Sequence, residues 1–360
     1  MSTTPAPAPQ PRLSRKKKLL FTLILFVVIG LVFELALRLL RPELYELAMV
    51  ERRTHIYRNW CARDLAPNAS EHYLRTRRDG SLALDYFLET DAYGLRRSNP
   101  DVPLEKTFAG QPRTIVHCAG DSMTMGWGVK AEESYPEQLQ GLLGDPYLVL
   151  NLGVDGIGVR DATERSRRLA ADFPPDVTIL LPYKNDPGED QVDLKHDRRS
   201  GFRHALGGFM DGVVRNLYVA QTPVVAKLMF RGNGVLDVPM EMMIDFIGPD
   251  MTQETWQTLS RGTQVPRGPS MDALQVYADE CAAAGRRFLV VLPHGNMFAY
   301  STGSYCREKG IPYLASPIGY SGHLKTDLHL SPDGCKLLAQ AVQLALMTGE
   351  GVTGPWKPLR

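Results

Sequence analysis

The chain has 360 residues, enough for one large domain or two small ones. Its hydrophobic content of 44% and charged content of 22% are ordinary for a globular protein. The formal net charge of +1 excludes the strongly basic field that nucleic-acid binding uses. The five cysteines form no Cys-x-x-Cys pair, which argues against a zinc or redox motif, and a disulfide between Cys281 and Cys306 stays open.

The beginning of the chain carries a basic segment followed by an apolar one. Residues 1–18 predict a disordered, basic, cytoplasmic N-terminus, because they are rich in proline and alanine and lack an apolar period. Residues 19–40 predict a transmembrane helix, since spanning a bilayer takes about 20 apolar residues. A cleaved signal peptide or a buried helix is the alternative, but the apolar run ends in a poor cleavage site. The basic cluster favours a periplasmic or extracellular location for everything after residue 40.

The rest of the chain divides by pattern. Residues 41–110 contain many arginines and predict a juxtamembrane helix followed by an irregular lead-in to the main domain. Residues 111–350 alternate between strand and helix patterns, with an insertion at about 187–269 that predicts an added helical subdomain or a lid, and 351–360 form a tail. The predicted strands are 114–119, 147–151, 176–181, 287–292 and 311–315. Helical crossovers between them predict a parallel five-stranded sheet with helices on both faces, a three-layer α/β/α sandwich.

Ser122 is the first candidate for chemistry. It follows a predicted buried strand in a Gly-Asp-Ser-Met segment, and open α/β sheets place ligands at the carboxyl ends of their strands. A helix cap is the simpler interpretation of such a serine. As a nucleophile it needs a base, and His329 lies in the loop before the last helix, with Asp327 two residues earlier to orient its ring. His323 and His294 also follow strands and are rival bases.

Two further loops offer hydrogen-bond donors. Acyl transfer by a serine needs donors for the tetrahedral oxyanion, and losing one costs roughly 10²–10³ in rate. Gly156 follows the second strand and lets a backbone N–H approach a substrate, and Asn185 follows the third strand with a side-chain amide. Each alone is also typical of a turn or a cap. A nucleophile, a base and two donors on loops of one sheet edge are more specific than any single motif.

Four sequence blocks resemble those of the GDSL, or SGNH, hydrolases. The blocks are Gly-Asp-Ser-Met at 120–123, Asn-x-Gly-x-x-Gly at 151–156, Tyr-x-Asn-Asp at 183–186 and Asp-x-His-Leu-Ser at 327–331. They fall in the family's order and cover about residues 113–190 and 286–348. The resemblance implies a flavodoxin-like SGNH hydrolase fold and a serine esterase that needs no metal or cofactor. The N-terminal anchor is similar to that of a membrane-tethered branch of the family.

The resemblance also implies a role for each site residue. Ser122 is the nucleophile, His329 is the general base, and Asp327 orients the base. The oxyanion hole consists of the Ser122 N–H, the Gly156 N–H and the Asn185 side-chain amide.

The sequence therefore predicts a membrane-tethered serine esterase acting on a small molecule, a glycan or a lipid, with an O-acetyl group on a carbohydrate as one substrate class. An O-acyltransferase stays open, because either water or an alcohol can take the acyl group from an acyl-serine. A non-catalytic binding or assembly module with the same fold is the alternative of another class, since a fold does not fix a function. No nucleic-acid partner is expected.

Overall fold

The computed structural model describes residues 14–40, 57–59, 64–77, 81–104, 113–197, 237, 240–326 and 328–359. The chain divides into two compact units, one formed by Met1–Arg53 and Phe209–Arg231 and the other by Thr54–Gly208 and Gly232–Arg360. Several predictions lie outside the described residues. They are the disordered segment at 1–13, the juxtamembrane helix after residue 40 and the apolar stretch of the insertion at 209–230.

The first unit contributes one described helix, α1 (Arg15–Leu40). Its segment Arg15–Ala36 is long and apolar enough to cross a membrane, with a mean hydropathy of 2.8. A signal sequence near an N-terminus meets the same criterion. One turn separates Glu34 from Arg38, and their side chains form an ion pair at 2.8 Å. The helix predicted at 19–40 is thus present and begins four residues earlier.

The second unit is built around a central sheet preceded by short strands. The strands are β1 (Tyr57–Asn59), β2 (Asp64–Leu65), β3 (Ser70–Thr76), β4 (Leu82–Glu89), β5 (Thr114–Gly120), β6 (Tyr147–Asn151), β7 (Val177–Leu181), β8 (Arg287–Leu292), β9 (Tyr313–Ala315) and β10 (Val352–Thr353).

The central sheet has the order β10-β9-β8-β7-β5-β6. Strands β5 to β9 are parallel, as predicted, and β10 adds an antiparallel edge strand from the predicted tail. Strand β5 lies between β6 and β7, so the loops leaving these three strands share one end of the sheet. β6 and β7 are buried at every position, which explains why their sequences are continuous apolar runs.

Helices cover both faces of this sheet. After β5 they are α2 (Ser122–Met125), α3 (Tyr135–Leu143), α4 (Val159–Leu169), α5 (Asp186–Asp197), α6 (Met240–Ile247), α7 (Gln253–Ser260), α8 (Pro269–Ala283), α9 (Met297–Lys309) and α10 (Pro332–Thr348), with single 3₁₀ turns at Ala131–Glu133 and Tyr320–Gly322. Helices α5, α6 and α7 occupy part of the predicted insertion.

Two hydrophobic cores lie on opposite faces of the sheet. On one face, α3 and α10 pack through Leu139 and Leu338 against Val116 and Ile179. On the other face, α8 packs through Leu274 and Tyr277 against Val290. Burying each of these large side chains contributes about 1.5–3 kcal/mol, and the alternation of strand residues between the two cores produces the predicted three-layer α/β/α architecture.

The lead-in was predicted to be irregular, and this prediction is wrong. Strands β3 and β4 form an antiparallel hairpin in which Tyr73 faces Tyr86. The two rings stack with centroids 5.2 Å apart. Such cross-strand aromatic pairs stabilise a hairpin, so the lead-in is a structural element of the second unit.

The described cysteines are separate, buried thiols: Cys118, Cys281, Cys306 and Cys335. The disulfide that the sequence left open between Cys281 and Cys306 is therefore not formed in this structure. Burial raises the pKa of the Cys281 thiol to about 11, which keeps it protonated and unreactive at neutral pH.

Candidate active site

Ser122 lies at the carboxyl end of β5, as the first residue of α2. Position 120, the last residue of β5, has to be a glycine, because a Cβ there would lie 2.8 Å from the carbonyl oxygen of Leu181 on the neighbouring strand. The Asp121 carboxylate then accepts a hydrogen bond from the Met123 N–H at 2.9 Å and caps the short helix. The turn fixes the Ser122 side chain at the edge where parallel sheets bind ligands.

The structure brings Ser122 and His329 together. His329 Nε2 lies 2.8 Å from Ser122 Oγ, within hydrogen-bond distance for a serine and its base. The loop that carries the histidine is held by its own backbone, because the Leu324 N–H donates to the His329 carbonyl at 2.8 Å and His323 pairs with Leu330. These contacts hold the imidazole at the carboxyl end of β5 from a loop that follows β9.

The two rival histidines lie side by side and are both buried. His323 Nδ1 lies 2.8 Å from the Gly319 carbonyl, which can only accept, so Nδ1 carries the proton. His323 Nε2 then accepts from His294 Nε2 at 3.3 Å. Burial, with the charges of His323 and His329 nearby, lowers the pKa of His294 well below its ordinary value. The structure places His329, and not either of these rings, against Ser122.

The two predicted oxyanion donors lie on the loops that flank the Ser122 turn. Gly156, with φ of 69°, occupies a turn after β6. Asn185 lies after β7, is exposed, and its carbonyl accepts the Gly188 and Glu189 N–H groups at the start of α5. Strand order puts the two loops on either side of Ser122. Their role as donors stays a prediction, as does that of Asp327, which lies outside the described residues.

Sequence reasoning missed two buried carboxylic acids, Asp121 next to the nucleophile in the chain and Asp186, which interacts with Asp121. Burial raises the pKa of Asp121 to about 7, although the Met123 N–H and the His329 charge lower it. Burial, together with the nearby Asp121 charge, raises the pKa of Asp186 well above its ordinary value. Asp186 accepts a hydrogen bond from the Tyr183 N–H at 2.9 Å. Both acids adjoin predicted residues, Ser122 and Asn185, but a local sequence does not reveal how deeply a carboxylate is buried.

Sequence reasoning also missed an aromatic wall beside His329. The Trp127 ring lies with its centroid 6.0 Å from that of His329. The indole also packs edge-on against Tyr73 and Tyr86 of the hairpin, with centroid distances of 5.1 and 6.4 Å. The indole is half-buried. The lead-in hairpin therefore supports one side of the site, which its arginine-rich sequence did not indicate.

In the part of the chain that the structure describes, no group of three or more His, Cys, Asp or Glu side chains could hold a metal ion. The arrangement offers instead a hydroxyl, an imidazole within hydrogen-bond distance of it, and backbone turns on both sides. Such a set can accept a proton from the hydroxyl while the oxygen attacks an electrophilic carbon.

Comparison with known proteins gives limited similarity. No family model matches the chain. A stretch of 79 residues is 38% identical to an acetylxylan esterase of Xylanibacter ruminicola, and this stretch is 20% of the chain and 16% of that enzyme. The chain thus matches about one sixth of the length of this curated relative.

Solved structures with similar folds include proteins of the GDSL family. One is a putative GDSL lipolytic protein from Desulfitobacterium hafniense, with a TM-score of 0.36 and 16% identity over 65% of this chain and 100% of the other. Another is a catalytic mutant of an acetylxylan esterase from Geobacillus stearothermophilus, with a TM-score of 0.35 and 15% identity over 65% of this chain and 93% of the other. With scores this low, a functional assignment has to rest on the chain's own residues.

Proposed function

We propose that this chain is a membrane-tethered serine esterase that removes an acyl group from an alcohol through an acyl-serine intermediate. One observation carries the proposal: Ser122 Oγ and His329 Nε2 lie 2.8 Å apart although 207 positions separate the two residues. A nucleophile needs a base within this distance. The position of Ser122 at the carboxyl end of a central parallel strand supports the same conclusion.

In the first half of the reaction His329 Nε2 takes the hydroxyl proton while Ser122 Oγ attacks the ester carbonyl carbon. The carbonyl oxygen becomes negative, and the N–H groups of Ser122 and Gly156 with the Asn185 amide stabilise it. Asp327 orients the imidazole and stabilises its charged form. The imidazolium then gives its proton to the alcohol oxygen as the ester bond breaks, which leaves the acyl group on Ser122.

In the second half a water molecule replaces the alcohol. His329 removes a proton from this water, and the resulting hydroxide attacks the acyl-serine carbonyl. The intermediate collapses, the proton returns to Ser122 Oγ, and a carboxylic acid leaves. The bonds made and broken balance without any metal or redox cofactor.

An acetyl group on a carbohydrate is the substrate class we propose. The stretch that is 38% identical to an acetylxylan esterase supports an O-acetylated glycan over a long-chain lipid. We further propose that α1 anchors the enzyme in a membrane, with the second unit on the periplasmic or extracellular side, because Arg15 and the three lysines after it precede the apolar run.

Turnover of p-nitrophenyl acetate and release of acetate from acetylated xylan test the proposal. We expect Ser122→Ala and His329→Ala to lower kcat by on the order of 10³ or more. Ser301→Ala, which removes a half-buried helical hydroxyl bonded to Phe298, and His72→Ala in the hairpin are matched controls and should retain activity. A wild-type chain without turnover above Ser122→Ala, and without labelling of Ser122 by a fluorophosphonate, would overturn the proposal.

A further inference from the structure

Arg96, at the end of the lead-in, is fully buried, with 0% of its surface exposed. Its guanidinium donates to four backbone carbonyls: Met125 at 3.0 Å, Val129 at 2.6 Å, Phe87 at 3.3 Å, and Gly126. No acidic side chain forms an ion pair with it among the described residues. Burying a charge without a carboxylate partner is costly, so an arginine at a site that served packing alone would be a poor choice.

Three of the four carbonyl acceptors belong to one short segment, residues 125–129, which begins at the last residue of the Ser122 helix. This segment folds back on the nucleophile, because the Gly126 and Trp127 N–H groups both donate to the Ser122 carbonyl at 3.0 Å. The planar guanidinium has several donors in a rigid fork, so it can hold several carbonyls in one fixed arrangement, which a lysine ammonium cannot reproduce. Arg96 therefore fixes the shape of the 125–129 segment.

The segment in turn presents Trp127 to His329. The two ring centroids lie 6.0 Å apart with the planes tilted by 39°. Arg96 also lies over the Tyr86 ring at 5.3 Å, and Tyr86 packs edge-on against Trp127. Contacts from one guanidinium thus reach both the backbone that carries the indole and an aromatic ring that supports it.

We propose that Arg96 is a positioning residue: it holds the 125–129 segment so that Trp127 keeps the His329 imidazole in line with Ser122. The proposal rests on the function proposed above for Ser122 and His329. An indole beside an imidazole also favours its protonated form through the cation–π attraction, which is the form that the histidine adopts in the transition state. Arg96, a residue of the lead-in, then acts on the Ser122–His329 pair through residues 125–129 and Trp127.

Other groups also act on the charge of His329. In the described chain they are Asp121, whose ionised form attracts the imidazolium, and His294, whose pKa the His329 charge helps to lower. Asp327 lies outside the described residues. Neither Asp121 nor His294 touches the guanidinium of Arg96 among its hydrogen bonds, so a change at position 96 leaves these two groups in place.

The test uses the fluorescence of Trp127, measured on the full-length chain in detergent as the wild-type emission minus that of Trp127→Phe. A protonated imidazole in contact with an indole quenches it. We expect the Trp127 emission to fall when the His329 imidazole takes up a proton on acidification, and this fall to disappear in His329→Ala. A wild-type Trp127 signal with the same pH response as His329→Ala would overturn the proposal.

The decisive variant is Arg96→Lys, which keeps the charge and loses the fork, and Arg97→Lys is its matched control on the same segment. Arg97 bonds to the Val102 carbonyl and pairs with Asp91 instead of the 125–129 segment. We expect Arg96→Lys to abolish or shift the pH-dependent quenching and to lower kcat for p-nitrophenyl acetate by about tenfold or more, with KM within about twofold. Arg97→Lys should leave both the pH-dependent quenching and kcat unchanged.

A folded Arg96→Lys with wild-type quenching and a kcat within about twofold of wild type would overturn the proposal. If Arg96→Lys fails to fold, an absence of the wild-type quenching still overturns the proposal, because that measurement needs no change at Arg96. If the wild type shows no esterase activity but its quenching is present and is lost in Arg96→Lys, the proposed function fails while the positioning role of Arg96 stands.

Discussion

Asp121 is a buried acid, and its replacement by asparagine should change how the stability of the fold depends on pH. The carboxylate is 1% exposed, and burial raises its pKa from an ordinary 3.8 to about 7. The folded protein therefore keeps the proton over a pH range in which the unfolded chain has lost it. Stability is fully present below the unfolded pKa and declines as the pH rises towards the folded value.

The size of this effect follows from the shift. One pKa unit corresponds to about 1.4 kcal/mol, so Asp121 alone should cost the wild type on the order of 3 kcal/mol of unfolding free energy between pH 5 and pH 7. Above about pH 8 both the folded and the unfolded chain have lost this proton, and the contribution of Asp121 is constant. An asparagine at this position would keep an oxygen to accept the Met123 N–H and has no proton to lose, so Asp121→Asn should remove the decline. The Asp121 charge also raises the pKa of Asp186, so removing it reduces the Asp186 contribution in the same direction.

Urea unfolding of the full-length chain in detergent at pH 5, 6, 7 and 8 measures the difference between wild type and variant. We expect Asp121→Asn to gain on the order of 3 kcal/mol relative to wild type between pH 5 and pH 8. Asp145→Asn, at an exposed turn, is the matched control and should run parallel to wild type. If Asp121→Asn and wild type respond to pH alike, the carboxylate is not held protonated by burial and the reasoning fails.

Two further predictions concern packing and topology. Gly153→Ala should lower the unfolding free energy by about 2 kcal/mol or more and also reduce esterase turnover, because the added Cβ would collide with the backbone of Met125 in the nucleophile helix. Gly141→Ala, at an open helical position, is the control and should be neutral or slightly stabilising. Equal urea midpoints for the two variants would contradict this prediction. Alkaline phosphatase fused after residue 60 should be active in a bacterial host, since its disulfides form only outside the cytosol; an inactive fusion would indicate a cytosolic location.

The five parallel strands of the central sheet were readable from the sequence because most of their residues are buried. Residues 287–292 were predicted as a strand, and β8 is Arg287–Leu292. Five of its six residues are buried, so the run is apolar without interruption and needs no alternation to be recognised. The proline and glycine residues after this strand, Pro293 and Gly295, then indicated a loop. This part of the fold depends on local composition, which a single sequence contains.

The hairpin β3–β4 was not readable for the opposite reason. Leu74 and Phe87 are exposed on it, while Glu71 is buried, so its pattern of apolar and polar residues does not match its pattern of burial. The hairpin is stabilised by pairs such as Tyr73 with Tyr86, whose members lie on different strands and which a periodicity argument cannot detect. The contacts between Arg96 and residues 125–129 likewise join segments about 30 positions apart.

At the candidate site, the sequence indicated which loops carry polar side chains but not which side chains meet. All three candidate histidines follow strands. Only the structure shows that His294 and His323 form a buried pair and that His329 lies beside Ser122. The raised pKa values of Asp121 and Asp186 are equally hidden, because desolvation is a property of the packed interior. The properties of the site that depend on residue type were predictable from the sequence. The pKa values that depend on how deeply a side chain is buried were not.

Strand β10 has a consequence for how the molecule behaves among its neighbours. By pairing antiparallel with β9 it occupies hydrogen-bonding groups that an open flank would offer to other chains. Leu359 is buried beyond it and its N–H donates to the Leu346 carbonyl at 2.7 Å, which ties the strand down. Because β10 is only two residues long, the edge it forms offers another chain few backbone groups to pair with, which disfavours edge-to-edge association.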